Sequence, residues 1–546
     1  MSPQSHPYEY SETMHPRSQI LLLGWQGTLR AAGYQPSATE QERAADRFRP
    51  WLDAAVSRLQ GESSPDICAW YRQHLPIEQL RPPLVDRLLG IAAASCLRNS
   101  TNDRPLLKVD PAKTLSATPY SNHANDAVRQ WAAATAMFLS RLHEDRQRLA
   151  SWAGKSELPA VTALFAANSD IHDAAGTTVR IEFADGSRIF YKPRPVTGEL
   201  LWYDLTRATA KVNPECAITA ARVLLGGNDT PNLYGWMEAL EPINPTIQLD
   251  HRAYWKSAGS LLCHAWLVNM TDLHMANILA TPTGPAVVDA ECLATPEPHP
   301  PVETDPVVRL SSELAATGLL PSSRLPNISG FFGVAQSVAN LRLPAWSCPK
   351  NGSATLNLSP ATLIDHQNRF GENGPVSCVP DMVDGFLNAA QALVDIRGQL
   401  LQRGGWLDRL ANQHAPRIII RDTLQYGLWL TETLLPTGNA PQNPSRANLP
   451  ENDISALYKV EKLSIESLHV PRFFVPAASR NLAASPKGIV VHDFLRVPVS
   501  QTIRSRLQAL SLDHLRPNLA PALLWSMLRN PGVAAVEALG RACVNI

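Results

Sequence analysis

The chain has 546 residues, which is too long for one compact domain and predicts two to four structural units. Hydrophobic residues make up 45% of it, enough to bury a sizeable core. The 49 basic and 49 acidic residues balance, so the composition indicates no nucleic-acid-binding surface, and a peptide or a small molecule is the better-suited partner. No apolar stretch is long enough for a signal peptide or a membrane span, which predicts a cytoplasmic protein.

The eight cysteines are scattered along the chain, and none forms a Cys-x-x-Cys pair. This spacing predicts neither a disulfide framework nor a zinc ribbon. Scattered single cysteines are typical of proteins in a reducing cytoplasm. The histidines likewise show no spacing that is typical of metal ligands.

The N-terminal part of the chain has a helical pattern. Residues 1–16 are polar and predict a loose tail. Residues 17–165 predict a helical region, because stretches such as 44–59 and 127–149 repeat apolar side chains at intervals of three and four positions.

The pattern changes near Ser169, where strands begin. Residues 178–191 alternate apolar and polar side chains on both sides of Asp185-Gly186. An Asp-Gly pair between two alternating runs is a strong signal for a β-hairpin.

Helical texture returns after the hairpin. A helix is predicted over 254–268, and a short buried strand is predicted at 286–288. Residues 341–380 are rich in Pro, Asn, Gly and Ser, which predicts an irregular loop or insertion. Helices are predicted to dominate again from about residue 380 to the end.

Polar residues occur in the order that phosphoryl transfer requires. In kinases a strand lysine steadies the ATP phosphates, an Asp orients or deprotonates the attacking hydroxyl, and an Asn and a second Asp hold magnesium. Lys192 ends the hairpin, and Asn277 lies five residues after Asp272, the interval of the kinase catalytic loop. Asp289 lies twelve residues after Asn277, enough for a turn and a short strand to return it to the same metal. Glu291 would add a further hard oxygen ligand for magnesium.

Taken singly, each of these residues has a plainer interpretation. A lysine at a strand end is usually solvated, an Asp-x-His is more often a loop cap, and an Asp after a strand often marks a turn. The ordered set is much more specific than its members. Upstream, Asp170 and His172 lie in a polar segment just before the hairpin, where a kinase carries its phosphate-covering loop, although alone this segment would be a polar turn.

Five segments carry a resemblance to a known family, the dehydratase domain of class II lanthipeptide synthetases (LanM type). The similarity runs from about residue 160 to about residue 475. The segments are Ser169-Asp170-Ile171-His172, Tyr191-Lys192-Pro193-Arg194, Tyr234-Gly235-Trp236-Met237-Glu238, Thr271-Asp272-Leu273-His274 and Val288-Asp289-Ala290-Glu291.

The resemblance implies both a fold and a reaction. The family is similar in fold to lipid kinases, which implies an α+β, kinase-like, two-lobed catalytic core. It uses ATP and Mg²⁺ to phosphorylate Ser and Thr side chains of a precursor peptide. It then eliminates the phosphate to give dehydroalanine or dehydrobutyrine. A precursor peptide with a leader is therefore the implied partner.

Elimination needs cationic groups that hold the leaving phosphate, and arginine grips phosphate oxygens in a bidentate way. Residues 416–426 resemble the family's Arg-x-x-x-Arg-x-Thr segment, whose first Arg and Thr serve elimination, and this implies those roles for Arg417 and Thr423. Asp422 and Gln425 look like a capping box that places Thr423 in the first turn of a helix. Without the resemblance, Arg417 would be an ordinary arginine on a solvated face.

The chain departs from the family in three places. Full-length members carry a C-terminal cyclase with zinc ligands of the Cys, Cys-His type. No such pairing occurs here, and the sequence ends about 120 residues after Thr423. Dehydration without thioether ring formation is therefore implied, and a separate cyclase or another tailoring enzyme is an open partner. The helical region before Lys192 is shorter than usual, and an Asp-Ile-Pro-Tyr-Phe-like segment is replaced by His469-Val470-Pro471-Arg472-Phe473.

The predicted organisation is a helical N-terminal region, a small lobe of strands over 166–250 and a mainly helical large lobe over 251–546. The large lobe carries the elimination segment and a helical C-terminal part. ATP is expected between the lobes, near Lys192, Asn277 and Asp289. Magnesium is expected on Asn277, Asp289 and Glu291.

The peptide substrate is expected in the same cleft. Asp272 is predicted to position the Ser or Thr hydroxyl, with His274 supporting its loop, while Asp170 and His172 line the cleft. Two alternatives stay open: a peptide or small-molecule kinase that stops at the phosphorylated product, and a non-catalytic module that binds the precursor peptide.

Overall fold

The protein is α+β, as the sequence predicts. A tail over residues 1–16 and the predicted site residue Asp170 lie outside the described part of the chain. The computed structural model describes residues 20–23, 29–32, 34, 37–98, 107–116, 118–167, 172, 176–227, 233–244, 250–296, 305–321, 328–333, 337–363, 375–436, 450–485 and 487–528.

The N-terminal region is mainly helical. Residues 44–59 are divided between two helices at Phe48, because Pro50 has no backbone N–H with which to continue the first helix. The stretch 127–149 lies inside one long helix, as predicted. The elements are β1 (Leu29–Ala31), α1 (Ala38–Arg47), α2 (Arg49–Glu62), α3 (Pro65–His74), α4 (Pro82–Arg98), β2 (Leu107–Val109), α5 (Pro111–Thr114) and α6 (Tyr120–Trp152).

A five-stranded antiparallel sheet follows, in the order β3-β4-β5-β7-β6. The predicted hairpin is confirmed as β4 and β5, and Gly186 in its turn adopts φ +82°, a conformation that glycine reaches without a steric penalty. The elements are β3 (Val161–Ala166), β4 (Val179–Phe183), β5 (Arg188–Lys192), α7 (Thr197–Val212), β6 (Val223–Leu225) and β7 (Gly235–Glu238).

Helix α6 packs against one face of this sheet. The rings of Phe138 and Tyr191 lie 5.1 Å apart. The buried carboxylate of Asp145 accepts hydrogen bonds from the Tyr234 hydroxyl and the Trp236 indole, each at 2.8 Å. These contacts fix the central strands β5 and β7 to the N-terminal helices.

The N-terminal helices and the five-stranded sheet share one hydrophobic core. A second hydrophobic core is built mainly from helices. The predicted helix near 254–268 and the predicted strand near 286–288 are both confirmed, as α8 and β9, and β9 forms a two-stranded hairpin with β8. The elements are α8 (His251–Leu267), β8 (Ile278–Thr281), β9 (Gly284–Val287), α9 (Pro306–Ala316), α10 (Val379–Leu401), α11 (Trp406–Gln413), α14 (Val499–Ala509) and α15 (Leu512–Leu528).

The prediction of an irregular loop over 341–380 is wrong for most of that range. Residues 337–363 form a long hairpin of β10 (Ser337–Ser347) and β11 (Ala354–Leu363). Pro344 lies in an edge strand, and Pro360 lies beside a shift in register, the two kinds of position where a strand tolerates proline. β1 and β2 both pair with β11, so the N-terminal region completes this sheet.

A smaller sheet of four strands lies beside α13 among the C-terminal helices. Its elements and the adjoining helices are β12 (Arg417–Ile418), α12 (Thr423–Leu434), α13 (Glu451–Glu466), β13 (Phe473–Phe474), β14 (Leu482–Ala484) and β15 (Gly488–Val491). Within the described ranges no disulfide forms among the seven cysteines, and no helix combines the length and apolarity that a membrane crossing requires.

Candidate functional site

Lys192 is a buried and paired lysine at the end of β5. Its Nζ donates to the carbonyl of Val288 at 2.8 Å and lies 3.1 Å from Glu199 and 3.3 Å from Asp289. The side chain is 6% exposed, so the solvated interpretation of this lysine is wrong. The predicted residues Lys192 and Asp289, which are 97 positions apart, therefore meet.

Glu199 lies in the first turn of α7 and was not predicted. The helix comes very close to the segment after β9, since a Cβ at Gly198 would lie 2.2 Å from the carbonyl oxygen of Ala290. Burial alone would raise the pKa of Glu199, but Arg194 and Lys192 outweigh it and hold the pKa below its ordinary value. Glu199 is therefore an ionised carboxylate that holds the lysine in place.

Arg194, in the Tyr-Lys-Pro-Arg segment, links three carboxylates, a role that the sequence does not predict. Its guanidinium lies 2.6 Å from Glu199, 2.6 Å from Asp289 and 3.4 Å from Glu291. Because guanidinium presents several donors in one plane, a single arginine fixes the relative positions of β5, α7 and the segment after β9.

The loop that carries Asp272 has a constrained backbone. Asp272 adopts φ 64°, in the left-handed region, and its carbonyl accepts a hydrogen bond from the Asn277 amide at 2.8 Å. The backbone N–H of Val288 donates to the Asn277 carbonyl at 3.0 Å. Asn277 thus lies opposite the end of β9, and the β8–β9 hairpin brings it close to the segment that carries Asp289.

The carboxylate of Asp272 lies 3.7 Å from the His274 imidazole. Burial raises the pKa of Asp272, although His274 and Arg417 act in the opposite direction. A carboxylate with a raised pKa is a better proton acceptor than an ordinary aspartate. Asp272 thus contacts both His274 and Asn277 within one loop.

Glu291 is surrounded by guanidinium groups. Arg417 lies 2.5 Å from one of its oxygens, and Arg472 and Arg194 lie 3.3 Å and 3.4 Å from the other. Burial alone would raise the pKa of Glu291, but these arginines, Arg417 foremost, hold it well below its usual range. Both oxygens bind arginine, which is not the surrounding expected of the predicted magnesium ligand.

Asn277 and Asp289 offer the other hard oxygen donors. One oxygen of Asp289 lies 2.6 Å from Arg194 and the other 3.3 Å from Lys192, but its side chain is 29% exposed, against 12% for Glu291. The amide nitrogen of Asn277 is used by the Asp272 carbonyl, which leaves its oxygen as the donor for a metal. Among the residues that the structure describes, no three His, Cys, Asp or Glu side chains are grouped to hold an ion. A cation here would therefore depend on Asn277, Asp289 and oxygens of the ligand.

His172 lies on the arginine side of the cluster. Its Nδ1 is 3.0 Å from the carbonyl of Val470, which can only accept, so the neutral ring carries its proton on Nδ1. Burial, and next the positive charge of Arg417, lower the pKa of His172 to about 3. The ring is neutral near pH 7 and keeps the lone pair on Nε2.

Thr423 begins α12, as predicted. Asp422 caps the helix by accepting from the Gln425 backbone N–H at 2.8 Å, and the Gln425 side chain bonds the same carboxylate at 2.9 Å. The preceding Arg421 is buried against Glu461, at 2.9 and 3.2 Å. This ion pair anchors the turn between β12 and α12.

Three residues of the cluster were missed by reasoning from the sequence: Arg194, Glu199 and Arg472. Arg194 and Arg472 each lie inside a segment that carries or departs from the family resemblance. A charged side chain within such a segment is the signal that could have identified them. Glu199 had no such signal, because only the tertiary fold reveals its contact with Lys192.

Comparisons with known proteins show which family the chain is similar to. A family model described as "Domain of unknown function (DUF4135)" matches residues 121–475, more than half of the chain. The Lacticin 481/lactococcin biosynthesis protein LcnDR2 of Lactococcus lactis subsp. lactis is 23% identical over 317 residues, which are 52% of this chain and 32% of that protein. The chain thus spans about a third of the length of the curated relative that it matches.

Proposed function

Since this chain belongs to the DUF4135 family, the dehydratase domain of class II (LanM-type) lanthipeptide synthetases, we propose that it dehydrates Ser and Thr residues of a ribosomally made precursor peptide. ATP phosphorylates the side-chain hydroxyl, and elimination of the phosphate leaves dehydroalanine or dehydrobutyrine. The observation that carries this proposal is one continuous cluster in which Arg194 links Lys192 and its carboxylates to Glu291 and Arg417.

A kinase-like, two-lobed core is the arrangement that best accounts for these contacts. The Lys192–Glu199 pair is similar to the lysine–glutamate ion pair that kinases form between a strand and a helix. The five-stranded sheet would then belong to the small lobe and the core around α8 and α10 to the large lobe. ATP would lie between them, with its phosphates near Lys192.

Magnesium suits Asn277 and Asp289, because the Asp289 carboxylate is more exposed than that of Glu291 and is shared with fewer arginines. Asn277 and Asp289 would hold the ion together with phosphate oxygens of the nucleotide. The ion would neutralise charge that develops on the phosphates during transfer. Glu291 is left with its arginines and takes no part in this binding.

Asp272 would act on the substrate hydroxyl. Its carboxylate accepts the hydroxyl proton while the oxygen attacks the γ-phosphorus of ATP, and the bond to the β-phosphate oxygen breaks to release ADP. The hydrogen bond from Asn277 to the Asp272 carbonyl keeps the loop in its left-handed conformation. The raised pKa of Asp272 suits a group that must take up a proton.

Elimination would occur on the arginine side. A base takes the Cα proton, the Cα–Cβ double bond forms, and the Cβ–O bond breaks to release inorganic phosphate. Arg417 and Arg472 would bind the phosphate as it leaves, with Thr423 near the start of α12. Neutral His172 lines the same side of the cluster and adds no further positive charge there.

Mass spectrometry of a candidate precursor peptide tests the proposal. The peptide is incubated with the protein, ATP and Mg²⁺, and we expect loss of water at Ser or Thr. Gain of phosphate without loss of water would instead make the protein a peptide kinase. No change in mass for any candidate peptide, together with no ATP turnover, would favour a module that only binds the precursor.

A further inference from the structure

A pocket lies on the face of the five-stranded sheet that packs against the N-terminal helices, between α4, α6 and strands β4 and β5. Its walls are mainly apolar, with the side chains of Thr135 and Thr177 among them. They include the side chains of Leu84, Ala127, Trp131, Phe138, Val179 and Tyr191. One cation interrupts this lining, the guanidinium of Arg87.

Arg87 is 5% exposed and poorly satisfied. One nitrogen donates to the Gln130 side chain at 2.8 Å, while Nε has no hydrogen-bond partner. Burial lowers the pKa of Arg87 to about 10, so it still carries its charge at neutral pH. The nearest influential carboxylate, Asp126, forms its ion pair with Arg129 at 2.8 Å.

Other buried arginines differ in this respect. Arg194, Arg417 and Arg421 each contact at least one carboxylate. Within the described part of the chain, no carboxylate lies within ion-pair distance of Arg87. A buried charge without a counter-charge is destabilising, so a ligand that supplies a negative charge would be stabilised here.

A second buried nitrogen without a hydrogen-bond partner lies close enough to Arg87 to be affected by its charge. Nε2 of His469 is buried with no partner in the structure, and burial, then the charge of Arg87, lower the pKa of His469 to about 4. Its segment is attached to α6, since the Gln130 amide donates to the Ser467 carbonyl at 3.2 Å. A carboxylate that enters beside Arg87 would accept from Nε and meet a neutral imidazole rather than an opposing negative charge.

The pocket is connected to the charged cluster through one strand. Tyr191 lines the pocket, and Lys192, the next residue, points to the opposite side, because successive side chains of a strand alternate. The Tyr191 hydroxyl is held by Arg141 at 2.7 Å. A ligand in the pocket would therefore contact the strand that presents Lys192 without entering the cleft.

We propose that this pocket binds an acidic side chain of the peptide substrate, with neighbouring apolar side chains against its walls, at a segment separate from the Ser and Thr residues that react. The inference rests on the proposed function. Charge complementarity with Arg87 selects a carboxylate, and the apolar walls select an amphipathic segment over a highly charged one. A peptide held here is anchored behind the sheet while another part of it reaches the cleft.

The test uses a precursor peptide that the wild-type protein dehydrates, labelled with fluorescein, and measures its binding by anisotropy without ATP. Arg87→Met should weaken binding about 10- to 100-fold, since a charge-assisted contact is lost. Its thermal midpoint should stay the same or rise, because the buried unpaired charge is gone. Arg421→Met is the matched control, and it should lower the midpoint because it leaves Glu461 buried without its partner.

A second change, of the acidic residues of the peptide outside the reacting region to Asn or Gln, completes a double-mutant cycle with Arg87→Met. The wild-type protein should bind the altered peptide as weakly as Arg87→Met binds the original peptide. Arg87→Met should bind the altered peptide only slightly more weakly than it binds the original. Unchanged binding by Arg87→Met, or a fall in its midpoint like that of Arg421→Met, would overturn the site. If the wild-type protein dehydrates no candidate peptide, the proposed function fails. Because the binding test uses only a peptide that is dehydrated, a failure of the binding site is distinguishable from a failure of the function.

Discussion

The two sides of the charged cluster differ in charge balance. Around Lys192 and Arg194, the carboxylates of Glu199 and Asp289 match the cations one for one. Around Glu291, one carboxylate receives the guanidinium groups of Arg417 and Arg472, and also approaches Arg194. Under the proposed function, the first side would need a magnesium ion to hold ATP phosphates, whereas the second would offer an excess of positive charge to a leaving phosphate. Separate changes on the two sides should therefore separate the two steps.

The largest expected effect is on the first side. Asp272→Asn keeps the shape of the side chain but removes its ability to accept a proton, so phosphorylation should fall on the order of 10²–10⁴-fold. Radiolabel transfer from ATP to the peptide measures this step. Elimination from a synthetic phosphoserine peptide should continue. The control is Asp384→Asn, at an exposed ion pair with Lys256 on α8; a similar loss there would show that the effect is not local.

Arg417→Ala should impair elimination, which is assigned to the second side, and leave phosphorylation unchanged. Elimination should fall on the order of 10²–10³-fold, the range for removing one donor to a developing anion. Phosphorylated peptide should then accumulate, which mass spectrometry detects as an added phosphate. Equal loss of phosphorylation would contradict the division of the cluster. Arg480→Ala removes an arginine from an exposed pair with Asp493 and should change neither step.

Arg472→Ala tests whether the excess charge is functional. Its guanidinium lies 3.3 Å from Glu291, further than that of Arg417, so its removal should slow elimination about tenfold. Release of inorganic phosphate from a phosphoserine peptide gives the rate. Arg472→Lys should restore part of it. An unchanged rate would mean that Arg472 only positions Glu291.

The smallest expected effect is on the titration of His172. Because its pKa is lowered to about 3, the ring stays neutral as the pH falls from about 7 to 5, whereas an ordinary histidine with a pKa of about 6.5 would become protonated. NMR of histidine-labelled protein, with His172→Gln for assignment, measures this. Arg417→Ala should raise the pKa of His172 by removing a neighbouring positive charge. Protonation of His172 near pH 6.5 in the unaltered protein would contradict both its burial and the excess of positive charge around it.

Local features of the fold could be predicted because nearby residues determine them. The hairpin of β4 and β5 follows from alternation around Asp185-Gly186, and the start of α12 follows from Asp422 as its cap. The hairpin over 337–363 could not be predicted, since its proline and asparagine content outweighed a weak alternation. Its pairing partners in β1 and β2 lie far away in the chain.

The candidate site divides in the same way. The spacing of Asp272 and Asn277 is a local property of one loop, and the sequence reveals it. The bonds from Arg194 to Asp289 and from Arg472 to Glu291 join residues 95 and 181 positions apart. A single sequence contains no record of such pairs, so the charge balance of the cluster became visible only in the structure.

The pairing of β1 with β11 has a consequence for how the chain folds during synthesis. Arg30 and Thr362, which are hydrogen-bonded across this pair, are separated by 332 positions. At about 5–20 residues per second, the first strand would wait roughly 20–60 s before its partner leaves the ribosome. The helices around α6 can collapse earlier, but their sheet cannot close, and such long-range closure is slow even once both strands exist. Until then the edges of β1 and β2 are open to other chains, so we expect this region to need protection from aggregation while the protein is being made.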